Sequence, residues 1–259
     1  MAELNGAPAT AEELKALALV NYGHFTSMRV ENQQVRGLSQ HIERLVRDCR
    51  MLLATDLDRE QVRAYIRQAV AGRDGAFVVR VTIYDPALEL GLPGAPAQPH
   101  VLVTSRPIGV GRLAPWRVQS AAYTRDLPAV KHVGLFGAIW HRRAAQLRGY
   151  DDAVFTDAES YVSEGPTWNI AFYDGDHVVW PNAEVLPGVT MRLLRQVHDR
   201  TTLAPVNLTD LPRMQAAFAT NTTIGVRAIT AINDVEFPAD HPILDTLRKE
   251  YEEIPAESL

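Results

Sequence analysis

The chain has 259 residues with a formal net charge of −5, and 46% of its residues are hydrophobic and 22% charged. This length allows one large domain or two modest ones with a buried core, and the composition argues against disorder. The mild charge, mixed in sign along the chain, argues against nucleic-acid or membrane-surface binding. A single cysteine, Cys49, excludes an internal disulfide and a cysteine-rich zinc site, and we predict no metal site.

The first part of the chain alternates helix and strand patterns. Ser39 is the predicted N-cap of a helix that begins near Gln40, because its hydroxyl can accept a bond from a free amide of the first turn. Apolar residues at three- and four-residue spacing from Ile42 to Leu53 give that helix one buried face. The other predicted elements are helices over Ala11–Ala18 and Asp58–Ala71, strands over Phe25–Val30, Ala76–Tyr84 and His100–Ser105, and a loop over Leu88–Pro99.

The glycines, prolines and scattered charges of Gly109–Pro128 predict a domain boundary, which divides the chain into residues 1–115 and 116–259. Mixed helices and strands in both parts predict an α+β fold. The predicted elements of the second part are helices over Val133–Arg148 and Val189–His198, paired strands over Ala153–Thr156 and Tyr161–Ser163, a hairpin of Ile170–Tyr173 and His177–Trp180, and a strand over Phe218–Ile232.

Several polar residues are candidates for a site, although each has a commonplace structural explanation. Lys131 is typical of a solvated lysine before a helix, Glu164 of a turn glutamate, and Arg44 of a charge on a helix surface. The start of a helix at Val189 and Thr190 offers amides and a hydroxyl for a phosphate, and it is also an ordinary helix start.

Together these residue types match the needs of one ligand, pyridoxal 5′-phosphate. Its aldehyde forms an imine with a lysine, its ring nitrogen pairs with a carboxylate, and its phosphate binds helix amides and a cation.

The order of these segments resembles the class IV aminotransferases, the fold-type IV pyridoxal-phosphate enzymes. The resemblance extends from about Gly23 to Asn233. Its motifs are Gly23–Val30 followed by His41–Leu45, Val130–His132, Asp151–Asp157 followed by Val162–Gly165 and Asn169–Ile170, Leu186–Thr190, and Thr220–Thr222.

The resemblance implies a two-domain homodimer with an N-terminal α/β sandwich, a C-terminal α/β barrel-like domain and the cofactor between them. Lys131 would carry the cofactor as a Schiff base and move the proton at the substrate α-carbon. Glu164 would face the ring nitrogen. The phosphate would be held by Arg44, Val189, Thr190 and Thr222.

The same resemblance leaves the reaction open. The leading function is amino-group transfer between a small amine or amino acid and a 2-oxo acid. The Phe25–Val30 stretch and the pair Lys131 and His132 are nearest to aminodeoxychorismate lyases, so a lyase that releases pyruvate is the alternative. A non-catalytic ligand-binding homologue is a third possibility. Phe136 stands where branched-chain members carry tyrosine, and Gly134 stands where the lyases carry asparagine.

The segment Asp85–Pro99, which follows the strand over Ala76–Tyr84, contains no basic residue that could bind a substrate carboxylate. Arg227 is the preferred candidate for that role over Arg29 and Arg106, and a surface arginine is the commonplace explanation for it. No secretory signal and no apolar run of membrane-spanning length is visible, so we expect a cytoplasmic protein.

Overall fold

The computed structural model describes residues 2–108 and 113–259. The helices are α1 (Ala11–Leu19), α2 (Leu38–Leu53), α3 (Arg59–Val70), α4 (Phe136–Leu147), α5 (Val189–Val197) and α6 (Pro242–Glu253). The strands are β1 (Ala2–Leu4), β2 (Ala7–Pro8), β3 (His24–Glu31), β4 (Gln34–Arg36), β5 (Ala76–Tyr84), β6 (His100–Pro107), β7 (Trp116–Ala122), β8 (Asp152–Thr156), β9 (Glu164–Gly165), β10 (Trp168–Tyr173), β11 (Val178–Pro181), β12 (Thr201–Ala204), β13 (Ala216–Asn221), β14 (Gly225–Ile232), β15 (Val235–Glu236) and β16 (Ala256–Ser258). Within the described residues, no helix is long and apolar enough to cross a membrane.

The chain forms two compact units, and neither is a single stretch of sequence. Unit 1 comprises Met1–Val110, Val130–Gly134 and Pro255–Leu259, and unit 2 comprises Gly111–Ala129 and Leu135–Ile254. The segment Gly109–Pro128, where the sequence predicts a boundary, begins in residues 109–112, which lie outside the described residues. The same segment contains β7, a strand that the sequence did not indicate.

Unit 1 is an antiparallel sheet with the strand order β16-β4-β3-β5-β6-β1-β2. Alternate residues of β3, among them Met28 and Val30, are buried against α2 and α3 together with Val79 and Val81 of β5. The alternation follows from the two-residue repeat of a strand, which sends neighbouring side chains to opposite faces. One face of the sheet therefore forms the core with α2 and α3.

The start of α2 differs from the prediction. The helix begins at Leu38 after Gly37, whose φ of 71° is in the left-handed region, so Ser39 lies inside the helix and not at its cap. The Ser39 amide donates to Oε2 of Glu257 at 3.0 Å, and the Ser39 hydroxyl donates to the same carboxylate. The acceptor for the first turn thus comes from β16, more than 200 residues away, which local sequence cannot indicate.

Unit 2 contains a nine-stranded mixed sheet whose main path is β12-β11-β10-β13-β14-β7-β8. The pairs β7–β8, β7–β14 and β11–β12 are parallel, and the other pairs are antiparallel. Helices α5 and α6 pack on one face through Met191, Leu194 and Leu244, which contact Phe218 and Ala228. The β10–β11 hairpin agrees with the sequence.

Three predicted elements of unit 2 need correction. The strand predicted over Phe218–Ile232 is the hairpin β13–β14, because the Asn221 side chain accepts from the amides of residues 223 and 224 and turns the chain. The helix predicted from Val133 begins at Phe136, since the Val133 amide donates to Gly23. The strand predicted over Tyr161–Ser163 is reduced to isolated bridges, of Val162 with Thr156 and of Tyr161 with Asn207.

Candidate active site

Residues 130–134 lie against β3 of unit 1. The Phe25 amide donates to the Lys131 carbonyl at 2.8 Å, and the Val133 amide donates to the Gly23 carbonyl at 3.0 Å. Gly23 has a φ of 152°, and a Cβ atom there would lie 2.6 Å from the Ile83 carbonyl oxygen, so only glycine fits this close approach. The main chain of Lys131 is therefore held beside β3, next to the isolated antiparallel bridge between His24 and His132.

The Lys131 amide donates to a side chain on α2. Its acceptor is Oδ2 of Asp48, at 3.1 Å, and Asp48 is fully buried. The second oxygen, Oδ1, accepts from Arg47 Nε at 2.8 Å and Nη2 at 2.6 Å. The main-chain amide and the main-chain carbonyl of Lys131 are thus both hydrogen-bonded within unit 1.

The Lys131 side chain shares an aromatic neighbour with an arginine. Lys131 Nζ lies 4.9 Å from the centroid of the Phe25 ring, and Arg80 Cζ lies 3.6 Å from the same centroid. Burial lowers the pKa of Arg80 from its usual value, and its Nε donates to Thr82 at 3.2 Å. Cations near the face of an aromatic ring are attracted by its quadrupole, so the Phe25 ring attracts both the Lys131 ammonium and the Arg80 guanidinium.

The opposite face of β3 carries a buried polar cluster. Arg44, predicted as a phosphate ligand, is only 6% exposed and is not a solvated helix charge. It donates to Thr26 and lies 3.3 Å from His41 Nδ1, while Thr26 Oγ1 and His41 Nδ1 are 2.7 Å apart. Burial, and secondarily the nearby Arg44, lowers the pKa of His24 to about 3 and that of His41 well below its usual value. Both imidazoles are neutral, so the positive charge of this cluster resides on the arginine.

Glu164, in unit 2, is a buried carboxylate with three donors. Its Oε1 accepts from Arg125 Nε at 2.8 Å, and its Oε2 accepts from the Leu186 amide at 3.2 Å and from Asn169 Nδ2 at 3.4 Å. Arg125 also donates to the Pro128 carbonyl at 2.6 Å. Glu164 is therefore fixed in position by an ion pair, and it is not a solvated turn residue.

This carboxylate lines a cavity of about 340 Å³ within unit 2. Polar residues among its lining include Tyr123, Arg125, Asp157, Tyr161, Glu164 and Asn182.

The predicted phosphate-binding segment begins α5, as expected. Gly188, which precedes the helix, has no side chain to cap it, so the first amides at Val189 and Thr190 receive no cap from that residue. A Cβ atom on Gly188 would collide with Oδ1 of Asn169, which requires glycine here. Thr190 is 1% exposed, and its hydroxyl has no hydrogen-bond partner within the part of the chain that is described. A helix start without a side-chain cap, beside a buried hydroxyl that no described residue binds, is suited to an anion.

The predicted second threonine, Thr222, lies half-buried in the β13–β14 turn. Thr220, two residues earlier, is fully buried, and its hydroxyl is also without a partner among the described residues. Thr220 pairs with Asn169 in the sheet and is on the same face of β13 as Phe218, against which α5 packs. The sheet and α5 thus bring Thr220 toward the segment that begins the helix.

Arg227, the candidate for a substrate carboxylate, is already engaged within unit 2. Its guanidinium lies 4.0 Å from the centroid of the Trp116 ring, and its Nε donates to the Ala114 carbonyl at 2.7 Å. These contacts give Arg227 a structural role whatever else it does.

Sequence reasoning missed three polar residues of these clusters: Asp48, Arg80 and Arg125. Arg80 had a visible signal, since it is the one charged residue in the strand pattern Ala76–Tyr84. Asp48 had a weaker one, because it interrupts the buried face of α2 beside Cys49. Arg125 had none, because its partner Glu164 is distant in sequence. Thr220 lies in the predicted Thr220–Thr222 motif, but the sequence analysis named Thr222 of that motif as the phosphate ligand.

Comparison with known proteins gives consistent results. Residues 23–232 match the family Amino-transferase class IV. A probable branched-chain-amino-acid aminotransferase of Rickettsia felis is 27% identical in an alignment of 253 residues that covers 88% of this chain and 84% of that protein. The branched-chain aminotransferase structure from Thermoproteus uzoniensis has a TM-score of 0.84 at 20% identity and covers 97% of this chain and 93% of its own. A putative 4-amino-4-deoxychorismate lyase structure from Legionella pneumophila has a TM-score of 0.79 at 22% identity, with 92% and 93% covered. These structures establish the fold.

We predict that His24 makes the protein sensitive to acid. Its pKa of about 3 is below the ordinary value of 6.5, so the folded state disfavours its protonation. The resulting stability is present above about pH 6.5 and is lost as the pH falls toward 3, by about 1.4 kcal/mol per pH unit. Replacing the imidazole in His24→Phe should therefore reduce the loss of unfolding free energy between pH 7 and pH 5 by roughly 2 kcal/mol.

Urea denaturation at the two pH values measures this difference. His177→Gln is the control, because the His177 side chain is 44% exposed, whereas His24 is fully buried. An equal loss in wild-type protein and in the His24 variant would contradict the prediction.

Proposed function

Since the chain belongs to the class IV aminotransferase family, we propose that it moves an amino group from an amino acid to a 2-oxo acid. The chain is a pyridoxal-phosphate-dependent aminotransferase in a fold-type IV arrangement. The relatives named branched-chain-amino-acid aminotransferases make branched-chain amino acids the first donors to test. The observation that carries the proposal is the family match across residues 23–232, with Lys131, Glu164 and the start of α5 inside it.

The residues present fit the cofactor. The Thr190 hydroxyl is buried and has no partner among the described residues, and the start of α5 has no side-chain cap. Both features support phosphate binding by this hydroxyl and by the amides of Val189 and Thr190. Arg44 would add a charge-assisted bond, and Thr222 a hydroxyl from the β13–β14 turn. Glu164 would accept from the protonated ring nitrogen, and its ion pair with Arg125 keeps the carboxylate in position.

When bound, the cofactor supplies an electron sink for the bonds at the substrate α-carbon. Lys131 would provide the amine for covalent attachment and then hold or move the α-proton through Nζ. Phe25 covers one side of that amine and restricts where the ammonium can lie. The fixed main chain of residue 131 returns Nζ to the same place in each turnover.

The substrate carboxylate requires a cation, and we propose Arg80 as the first candidate and Arg227 as the second. Arg80 and Lys131 lie around one Phe25 ring, so a cation is available close to the amine. The guanidinium of Arg227 already contacts Trp116, and its Nε already donates to Ala114. A carboxylate–guanidinium pair gives both binding energy and orientation.

We also propose a homodimer, with a cytoplasmic location as part of the same proposal. One face of α4 leaves large apolar side chains exposed, with Phe136 at 83%, Trp140 at 58% and Leu147 at 70% exposure. Ile139 lies in the same stripe, at three- and four-residue spacing. A contiguous apolar surface of this kind is typical of a protein–protein interface, and a second copy of the chain is the partner we propose.

The first test is the identity of the attachment residue. Borohydride treatment of wild-type protein should fix the cofactor irreversibly to a peptide that contains Lys131, and Lys131→Ala should abolish the adduct. Lys15→Ala and Lys249→Ala are matched controls, because these are the remaining lysines of the chain and should retain full labelling. Mass spectrometry of the digested protein decides, and an adduct on another lysine would refute the assignment.

The same preparation separates transfer from the lyase alternative. An amino donor supplied without an oxo acid should convert the bound cofactor to its amine form, which the absorption spectrum reports. Pyruvate release from an aminodeoxychorismate-type substrate without that conversion would favour the lyase.

The second test concerns the carboxylate. Arg80→Ala should raise the KM for an amino-acid donor by about 10- to 100-fold, the equivalent of one charged hydrogen bond, and should spare an amine without a carboxylate. Arg227→Ala is the matched comparison, and we expect a smaller effect on both donors. A selective rise in KM for the amino acid in Arg227→Ala alone would move the role to that residue.

The third test concerns assembly. Trp140→Glu places a charge in the apolar stripe of α4 and should convert the dimer to a monomer in light scattering coupled to gel filtration. Leu19→Glu makes the same kind of change at another exposed apolar residue and should leave the mass unchanged. A wild-type monomer, or a Trp140→Glu dimer, would contradict the proposal.

A further inference from the structure

The carboxylate of Asp48 is placed where a helix core usually has an apolar side chain. It is fully buried on α2, with Leu45 and Cys49 of the same helix also fully buried. A buried carboxylate is costly unless it has an ion-pair partner and hydrogen-bond donors. Asp48 has both, because Oδ1 accepts from Arg47 and Oδ2 accepts from the Lys131 amide at 3.1 Å.

The two partners of Asp48 have different character. Arg47 reaches it from the surface, with a side chain that is 40% exposed, and contributes charge compensation. The Lys131 amide belongs to a segment that is more than 80 residues away in sequence. The bond to this amide therefore joins α2 to the segment that carries the lysine.

The bond complements the one that β3 makes to the same residue. The Phe25 amide binds the Lys131 carbonyl at 2.8 Å, so β3 holds one side of residue 131 and α2 holds the other. With its carbonyl and amide both fixed, the Cα of Lys131 has little freedom, and the reach of Nζ depends on the side-chain torsions alone.

We propose that Asp48 is a positioning residue for Lys131, acting through the main-chain amide. The inference rests on the proposed function, in which Lys131 binds the cofactor covalently. Without the Asp48 acceptor, the segment Val130–Gly134 keeps its bonds to Phe25 of β3 and to Gly23, just before that strand, but gains freedom on the side of α2.

Two substitutions separate the effect of the hydrogen-bond acceptor at residue 48 from the effect of its negative charge. Asp48→Asn keeps an oxygen that can accept from the Lys131 amide and removes the charge, while the partly exposed Arg47 can turn to water. Asp48→Ala removes both. Val46→Ala, a truncation of another buried residue on α2, controls for general loosening of that helix.

The first readout uses cofactor-free protein, so it does not depend on turnover. Amide hydrogen exchange at residues 131–133 should be at least about 10-fold faster in Asp48→Ala than in Val46→Ala, and near the wild-type rate in Asp48→Asn. The second readout is the rate of borohydride-fixed cofactor attachment at saturating cofactor, which should fall about 10-fold or more in Asp48→Ala alone.

The outcomes are distinguishable. Equal exchange in Asp48→Ala and Val46→Ala, or normal attachment in Asp48→Ala, would overturn the positioning role. A defect of the same size in Asp48→Asn would also overturn it, since the acceptor is retained and only the charge is lost. Failure of wild-type protein to attach cofactor at all would refute the proposed function, while the exchange rates would still report whether Asp48 holds the segment.

Discussion

The hydrogen bond from the Phe25 amide to the Lys131 carbonyl is the contact on which the arrangement of unit 1 around its lysine depends. It aligns residues 130–134 with β3, whose side chains alternate between two faces. Phe25 faces Lys131 and Arg80, while Thr26, the next residue, faces His41 and Arg44. One strand therefore supplies neighbours for a reactive amine on one side and for a buried cation on the other. A one-residue shift in the register of β3 would exchange the side chains on its two faces.

Local pattern was enough to locate most helices and strands, because apolar periodicity and β-branched runs are properties of neighbouring residues. The strand over Ala76–Tyr84 and the loop that follows it agree with the structure. The start of α2 was not predictable, since its acceptor is Glu257. The β13–β14 turn was missed because the bends at Asn221 and Gly225 interrupt a continuous run of strand-forming residues.

The residues of the candidate site were likewise predictable from the sequence only in part. Lys131, Glu164, Arg44 and the start of α5 were identified from the order of motifs along the chain. Arg125 could not be identified, since its importance comes from Glu164, 39 residues further along. Roles that depend on one residue's own chemistry were visible in the sequence, and roles that depend on a distant partner were not.

Because unit 1 is formed from three separate segments of the chain, its structure also constrains the order in which the protein folds. The sheet of unit 1 takes β16 from Pro255–Leu259, and an isolated bridge joins Val130–Gly134 to β3, while nearly all of unit 2 lies between these two segments in sequence. During synthesis from the amino terminus, β3, α2 and β5 leave the ribosome long before either segment exists. Until residues 255–259 emerge, β4 is an open edge and the first turn of α2 has no Glu257. Unit 2 can complete its own sheet earlier. Unit 1, which contains the first residues to be synthesised, is therefore the last unit to complete its sheet.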